Sequence, residues 1–293
     1  MGCILVIGRD EDVCCLMVKR YLASLGRDVV YLPEGRLFPG LFFSWELRDG
    51  QSSGTLESGD STIGFDQIDG VLARFSGIAT TPDDFHTKDG RYLSSEWHAL
   101  MRGYMSSLSC PVINRPSPEL WYRRFLRAPE LISLVSDSPF RLPRTLVATR
   151  FEDIQAFFDL SGRRIRYSPL TMSSNYVIDT QEDLEKLEPL SHILPLHLSE
   201  VVSGDPIDAY VVGTRVVFDG ASHNSVAAMC QELATSSGLT FCHLRLVRTL
   251  EDECYCMSLD CMPSLVECAE HTRDTIVGYL VDTLCSGASR GAE

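Results

Sequence analysis

The chain has 293 residues, a hydrophobic fraction of 44%, a charged fraction of 23% and a formal net charge of −14. These values are ordinary for a globular protein with two or three small domains. The acidic balance argues against nucleic acid or an anionic membrane as the main partner. No apolar run in the sequence approaches the ~20 residues of a membrane span.

The eleven cysteines are scattered without the regular spacing of a disulfide framework. Residues 1–9 carry no basic stretch ahead of their apolar core and are followed at once by acidic residues, so we predict no signal peptide. Reduced thiols and a cytoplasmic location follow as expectations.

Strands and helices are predicted to alternate over the first 115 residues. Four apolar runs predict strands: 3–8, 29–32, 68–75 and 111–114. A helix is predicted over 10–25, with Val13, Met17 and Tyr21 on one face and Gly26 as its stop. A hairpin-like insertion over 40–65 and a helix over 94–108 complete this part.

The acidic turn at residues 8–12 lacks the GxGxxG pattern and would repel a pyrophosphate, which argues against a dinucleotide site there. Further along, helix caps are predicted at Ser117, Thr149 and Thr180. The dipeptide Gly213-Thr214 predicts a hairpin turn.

Two late stretches, 241–248 and 254–260, alternate between apolar and small or polar residues, as strands do. In the second stretch the pattern predicts residues 255, 257 and 259 on the core face. Ser264 and Glu267 form a capping-box pattern that predicts a helix from residue 265. If the two strands pair, Arg245, Ser258 and Asp260 come to lie side by side.

Four stretches, in this order, resemble the ATP-grasp superfamily. They are VINRP at 112–116, LPRTL at 142–146, LSEVVSG at 198–204 with AYVVG at 209–213, and GLTF at 238–241 leading into MPS at 262–264. The resemblance is greatest to the branch with ribosomal-protein glutamate ligases, glutathione synthetase and peptide-macrocyclising ligases.

This resemblance implies an α/β (α+β) chain with the ATP-grasp fold and an N-terminal Rossmann-like pre-ATP-grasp domain. We therefore expect the pre-ATP-grasp domain over 1–115 and the ATP-grasp domain over 116–285. The lid subdomain is expected over about 140–200, and residues 286–293 are expected to be a disordered tail. In the family, the N-terminal domain often helps to recognise the acceptor substrate.

In active members of that family, ATP lies between two sheets, and two Mg²⁺ ions join its phosphates to acidic side chains. A carboxylate accepts the phosphoryl group, and an amine attacks the resulting acyl phosphate. The resemblance thus implies ATP and Mg²⁺ as cofactors if the family activity is retained.

The charged positions of the family pattern are changed in this chain. Arg245 matches an Asp of the pattern, and Ser258 and Asp260 match a Glu and an Asn two residues apart. An arginine cannot coordinate a cation and serine is a poor ligand, so Asp260 is the remaining metal-ligand candidate. These three are also the candidate catalytic residues.

The nucleotide positions of the pattern are altered as well. Ser168 stands where the family has a phosphate-contacting Lys, and Arg166 on the same strand face is a candidate substitute. Asp208 stands where an Arg is usual and would repel phosphate. Glu200 matches the acid near adenine and ribose.

An earlier phosphate-binding Lys of the family has Arg124 or Arg127 as candidate replacements, and the sequence does not choose between them. The structural interpretation of the arginines at 123–127, a solvated helix face, is favoured over a binding role. Arg245 can likewise form a structural ion pair with Asp260 across the strands.

Cys254, Cys256 and Cys261 lack a second pair at zinc-like spacing and are expected to be small core or cleft residues. His223 and His243 are candidate general bases, with a structural role as the commoner alternative for a lone histidine. No pair of nucleophile and base is recognisable in the sequence.

Two functions follow from the resemblance and its departures. The first is a divergent protein that has lost ATP·Mg chemistry and binds an acidic metabolite, a peptide or a catalytic partner through Arg245 and Arg166. The alternative is an active ATP-dependent carboxylate–amine ligase in peptide or specialised-metabolite modification. The expected partners are a small-molecule or peptide carboxylate, and a catalytic protein or a second copy of the chain.

Overall fold

The computed structural model describes residues 2–37, 40–59, 61–74, 88–116, 128–136, 138–169 and 175–286. The chain forms two compact units. Unit 1 consists of Met1–Arg124, Tyr210–His243 and Asp260–Glu293, and unit 2 consists of Phe125–Ala209 and Leu244–Leu259. The expected domain boundary near residue 115 and the expected tail after 285 stay predictions.

The strands of the described residues are β1 Cys3–Gly8, β2 Val29–Pro33, β3 Leu41–Arg48, β4 Gln51–Ser58, β5 Ser61–Gly64, β6 Ile68–Arg74, β7 Val112–Ile113, β8 Thr145–Ala148, β9 Ile165–Tyr167, β10 Tyr176–Ile178, β11 Leu196–Glu200, β12 Asp205–Val212, β13 Arg215–Phe218, β14 Phe241–Arg248 and β15 Cys254–Asp260. The α-helices are α1 Val13–Ser24, α2 Lys88–Ser107, α3 Ala128–Val135, α4 Phe151–Leu160, α5 Gln181–Glu185, α6 Glu188–Ser191, α7 Asn224–Ser236 and α8 Glu270–Cys285. None of these helices is both long enough and apolar enough to cross a membrane.

Unit 1 is built on a parallel sheet with the strand order β2-β1-β6-β7. Apolar side chains of β1 point alternately to two cores. Ile4 and Val6 pack with residues of α1 and α8, while Leu5 and Ile7 pack with residues of α2. A parallel sheet covered on both faces needs such a continuous apolar strand, and the predicted βαβ opening is confirmed.

Helix α1 begins later than predicted. Asp12 is its N-cap and accepts a hydrogen bond from the amide of Cys15, so the helix starts at Val13 rather than at residue 10. Its buried face consists of Cys14, Cys15, Val18 and Leu22. Tyr21, predicted on the buried face, is exposed, because the buried stripe is shifted by one residue around the helix.

The insertion over residues 40–65 is a three-stranded antiparallel sheet of β3, β4 and β5. Asp49 and Gly50 both have positive φ, as a two-residue hairpin turn requires. The aromatic ring of Phe43 packs edge-on against Trp97 and Tyr104 of α2. The predicted hairpin therefore belongs to one of the two cores of unit 1.

Unit 2 contains an antiparallel sheet with the order β10-β9-β11-β8. Helix α4 packs its buried Ile154 and Phe158 into the core below this sheet. Thr180 caps α5 as predicted, accepting a hydrogen bond from the amide of Asp183. The predicted cap of α4 at Thr149 is wrong: its N-cap is Arg150, whose side chain binds Asp153 instead.

The remaining four-stranded sheet has the order β13-β12-β14-β15, and the limits of the two units fall within its strands. The predicted pairing of β14 with β15 is confirmed. The predicted face of β15 is wrong at its start, because Cys254 and Cys256 are buried while Tyr255 and Met257 are half-buried.

The last helix also begins later than its capping-box pattern predicts. Residues 261–269 form bends, and α8 starts at Glu270 after the N-cap Ala269. The Ser264 hydroxyl accepts a 3.4 Å hydrogen bond from the amide of Val266 within this segment. Leu265 is nevertheless buried, so the segment packs against the core although it is not helical.

Candidate functional site

Most of the candidate residues lie in unit 2. These are Arg166, Ser168, Glu200, Asp208, Arg245 and Ser258. Asp260 is the first residue of the last stretch of unit 1. The prediction for Arg124 or Arg127 lies outside the described residues.

Arg166 stands in the middle of the sheet of unit 2. Its strand β9 pairs on both sides, with Arg166 in register with Val177 of β10 and with Ser199 of β11. Burial lowers the pKa of the Arg166 guanidinium, yet an arginine remains charged at neutral pH. A half-buried cation of this kind binds anionic groups well, because an anion restores the charge stabilisation that burial removed.

Ser168 is held by its neighbours just after β9. Its hydroxyl donates a hydrogen bond to Oδ1 of Asn175, and its amide donates to the carbonyl of His197 at 3.0 Å. The carbonyl of Ser168 in turn lies 3.1 Å from Nδ1 of His197. Burial lowers the pKa of His197, so a neutral ring donates here and this group carries no charge.

Glu200 ends β11 and is tied to Arg144 just before β8. Its Oε1 accepts the amide of Arg144 at 2.9 Å, and its own amide donates to the Arg144 carbonyl at 2.9 Å. The carboxylate therefore has a fixed position at the end of the sheet, as a residue that accepts hydrogen bonds from a ligand requires.

Arg245 and Asp208 face each other across β14 and β12. Nε of Arg245 lies 3.7 Å from Oδ1 of Asp208, and the two side chains are 57% and 43% exposed. The resemblance expects an Asp at the first position and an Arg at the second, so the two charges are exchanged. The exchange preserves an ion pair while it places a cation where a metal ligand is expected.

Ser258 is half-buried on β15. Asp260 is 8% exposed, and its Oδ1 accepts the amide of Met262 at 2.8 Å. This hydrogen bond orients the carboxylate at the end of the strand. The expected ion pair between Arg245 and Asp260 stays a prediction.

Asn114 is a structural residue for which the sequence analysis gave no role. Its Nδ2 donates to the carbonyls of Phe241 and Cys261 at 2.6 and 2.8 Å. Its Oδ1 accepts the amides of Thr240 and Phe241 at 2.9 and 2.7 Å. Asn114 thus joins the start of β14 to the end of β15, next to Asp260, and its place at the end of an apolar strand was the available signal.

Arg141 was also missed. Its main chain bonds to β15 on both sides, through the carbonyl of Cys254 and the amide of Cys256. Its guanidinium lies 2.7 Å from Oε1 of Glu253. Glu253 is therefore engaged in an ion pair within the turn before β15.

Side chains that could hold a metal ion do not cluster in the described residues. Within them, no group of three or more His, Cys, Asp and Glu side chains is arranged to hold a metal ion. Cys254, Cys256 and Cys261 are buried thiols. His243, a candidate base, is buried and its ring stacks on Tyr210 at 4.3 Å, an arrangement typical of a packed core.

No family model and no curated protein matches this chain. Solved structures do match it over almost the whole length. A RiPP-associated ATP-grasp ligase from Chryseobacterium gregarium, in complex with ADP and a leader and core peptide, has a TM-score of 0.73 and 17% identity. The match covers 98% of this chain and 97% of that one.

Two further solved structures match over a similar length. The macrocyclase MdnC from Microcystis aeruginosa MRC, bound with precursor peptide MdnA, has a TM-score of 0.76 and 15% identity over 95% of this chain and 99% of that one. The ATP-grasp ligase PsnB, complexed with minimal precursor, Mg and ADP, has a TM-score of 0.76 and 19% identity over 98% of both chains. At these identities the likeness shows the fold: this chain has the ATP-grasp fold, as the resemblance predicted.

Proposed function

We propose that this protein binds a peptide and joins a carboxylate to an amine, as a carboxylate–amine ligase of the ATP-grasp type. The observation that carries this proposal is the extent of the fold match. Three structures of ligases or macrocyclases with bound peptides cover 95% or more of this chain.

Residues of unit 2 fit the nucleotide part of this function. ATP would supply the phosphoryl group that activates the carboxylate. Arg166 offers a half-buried cation to an anionic group. Glu200 offers a carboxylate in a fixed position that can accept hydrogen bonds from ribose or an amino group.

The residues at the metal positions do not fit the Mg²⁺ ions of the family. Magnesium prefers oxygen ligands, mainly carboxylates and water. Of the three matched positions, Asp260 supplies a carboxylate, Ser258 a neutral hydroxyl and Arg245 a cation. Glu253, in the preceding turn, is paired with Arg141. We therefore derive no step of the reaction through magnesium.

A second function is favoured by this mismatch. The exchanged pair of Arg245 and Asp208 supports a protein that binds a peptide, an acidic metabolite or a catalytic partner and has lost ATP·Mg chemistry. Under this second function, the positive charge of Arg245 takes the place of the metal ion, and no metal is needed.

Calorimetric titration of ATP with and without Mg²⁺ separates the two candidates. The ligase hypothesis expects ATP binding and a thermal stabilisation, about 2.7 kcal/mol at a ligand concentration of 100 times Kd. ATP turnover with a precursor-type peptide would support it further. The absence of nucleotide binding, together with peptide binding, would overturn the ligase proposal and support the second function.

A restored variant sharpens this test. It combines Arg245→Asp, Asp208→Arg, Ser258→Glu and Asp260→Asn, which returns all four positions to the family pattern. If the second function is right, this variant gains Mg²⁺-dependent ATP binding that the parent lacks. The matched control is Arg150→Ala, which removes an exposed ion pair of the same unit at the start of α4.

A further inference from the structure

Strand β3 of unit 1 lies at the edge of its sheet. In the order β3-β4-β5, one side of β3 has no neighbouring strand among the described residues. With eight residues, β3 is also the longest strand at a sheet edge in the described part of the chain. An unpaired edge presents a row of main-chain donors and acceptors that can pair with another strand.

The hairpin of β3 and β4 fixes which main-chain groups of β3 bond to β4. Arg48 and Gln51 close its two-residue turn, and the two residues of such a closing pair are hydrogen-bonded to each other. Hydrogen-bonded pairs alternate along an antiparallel ladder, so Phe42, Ser44 and Glu46 also bond to β4. The main-chain groups of the residues between them point the other way.

Every second residue of β3 therefore directs its amide and carbonyl to the open edge. These edge-facing residues are Leu41, Phe43, Trp45 and Leu47. Within the residues that the structure describes, none of these main-chain groups has a hydrogen-bond partner. The edge of β3 thus keeps its full capacity to pair with a further strand.

Strand β3 lacks the features that usually keep an edge strand from pairing. It contains no lysine and no proline. Its charged residues, Glu46 and Arg48, pair with each other at 2.6 Å, so the strand has no net charge in a chain whose net charge is −14. Phe42 and Leu47 are 66% and 67% exposed. A long, neutral edge strand with exposed apolar side chains is suited to pairing with another strand.

The sequence of β3 is complementary to itself in an antiparallel register centred on Ser44. In this register Phe43 lies opposite the partner's Trp45, and Leu47 lies opposite the partner's Leu41. All the edge-facing residues then belong to hydrogen-bonded pairs, which gives about eight main-chain hydrogen bonds between the copies. Registers centred one residue to either side give about six.

The polar side of β3 is compatible with the same register. Ser44 meets the partner's Ser44 at the two-fold axis, in a non-hydrogen-bonded pair whose side chains are close together. Glu46 lies opposite the partner's Phe42 and keeps its own Arg48 beside it. No like charges therefore face each other directly across the pair.

We propose that β3 is a dimerisation strand, which pairs with β3 of a second copy of this chain about a two-fold axis at Ser44. The two three-stranded sheets then become one continuous sheet, and the exposed Leu47 gains an apolar neighbour. Because both copies use the same edge, the pairing closes at a dimer. The proposal concerns assembly through unit 1, so it does not depend on which of the two functions is right.

The first test is analytical ultracentrifugation of the full-length protein over a dilution series, under reducing conditions. We expect a dimer that dissociates on dilution. Added sodium chloride should not dissociate it, because main-chain bonds and apolar contacts hold the strands together and salt screens the repulsion between two chains of net charge −14. A monomer at every concentration would overturn the proposal and favour a peptide of another molecule as the strand that β3 accepts.

A cysteine at the two-fold axis tests the register. With glutathione disulfide as the oxidant, Ser44→Cys should form a disulfide between two copies, because the two side chains of this pair are neighbours. The matched control is Ser53→Cys, which places a thiol on the same exposed side of the neighbouring strand β4. The parent, whose cysteines are buried or half-buried, gives the baseline. Equal cross-linking in both variants, or none in Ser44→Cys, would contradict the proposed pairing.

A charge at the same position tests the contact without a covalent bond. Ser44→Lys places two ammonium groups opposite each other, so the Kd of the dimer should rise at least about tenfold. Ser53→Lys, the same substitution one strand away, should leave the Kd unchanged. Both positions are exposed, so both variants should unfold at the temperature of the parent monomer. A dimer that persists in Ser44→Lys, or that weakens equally in both variants, would overturn the proposal.

Discussion

Two ion pairs of unit 1 are largely buried, whereas the ion pair of Arg245 and Asp208 in unit 2 is exposed to water. In unit 1, Arg74 and Asp12 are 5% and 16% exposed, and Arg27 and Asp69 are 8% and 17% exposed. In unit 2, Arg245 and Asp208 are 57% and 43% exposed. These two pairs of unit 1 are held away from water, whereas the pair of Arg245 and Asp208 remains in contact with it. Unit 1 also has exposed pairs, such as that of Arg9 with Glu11.

This difference in exposure determines whether a substitution in the pair changes mainly the stability of the fold or mainly the function. Removing one member of a buried pair leaves an uncompensated charge and lowers the free energy of unfolding strongly. Removing one member of an exposed pair changes little, because water and salt screen the interaction. Substitutions at Arg245 and Asp208 therefore test function with little effect on the fold. Substitutions in the buried pairs of unit 1 need a matched structural control.

The largest expected effect is on the buried pair of Arg27 and Asp69. Arg27→Gln should lower the free energy of unfolding by about 3–5 kcal/mol, because Asp69 is left as an unpaired buried charge. Urea denaturation monitored by circular dichroism measures this change. The double variant with Asp69→Asn should recover part of the loss. A change in the free energy of unfolding under about 1 kcal/mol would show that this buried pair matters no more for stability than the exposed pair of Arg245 and Asp208.

Asn114 should have the next largest effect. Asn114→Ala removes four hydrogen bonds to main-chain groups and should cost about 2–3 kcal/mol, since several of these groups lose their partner. Asn114→Asp places a carboxylate oxygen against two carbonyls, so its stability deficit should shrink as the pH falls and the carboxylate takes up a proton. An aspartate variant as stable as the parent at neutral pH would contradict this role.

Both units contain a histidine whose pKa is lowered by burial, His98 in unit 1 and His197 in unit 2. As the pH falls below the ordinary histidine value of 6.5, the unfolded chain binds protons that the folded chain does not. Stability should therefore decline toward acid, by at most about 1.4 kcal/mol per pH unit for each histidine. Stability curves between pH 7.5 and 5.5 for the parent, His98→Gln and His197→Gln measure each share. If the variants show the same dependence of unfolding free energy on pH as the parent, these histidine rings do not cause the decline in stability.

The smallest expected effect is on the exposed pair. Arg245→Gln should change the free energy of unfolding by less than about 1 kcal/mol, and added salt should remove even that difference. Thermal unfolding at low and high ionic strength provides the measurement. A loss of unfolding free energy comparable with that of Arg27→Gln would mean that Arg245 stabilises the fold, so that its substitution could not be used to test function alone.

Local patterns were sufficient for much of the fold. The apolar runs located the strands of the parallel sheet, and the Thr180 cap of α5 was correctly placed. Patterns failed where tertiary contacts compete with local ones. The capping box at Ser264 does not start a helix, because the segment 261–269 packs as bends with Leu265 in the core. The first half of β15 lacks the predicted exposed face, because Cys254 and Cys256 are buried.

The sequence by itself determined the order of the elements, and the resemblance of its four quoted stretches predicted the ATP-grasp fold. The order of the elements depends on periodicity along the chain, which a single sequence displays. The tertiary structure decided that Asp208 and Arg245 meet, that Asn114 joins two strands, and that Arg74 bonds to the carbonyl of Pro263. Such contacts join residues far apart in the chain, 189 positions for Arg74 and Pro263, and they depend on packing that no local pattern encodes.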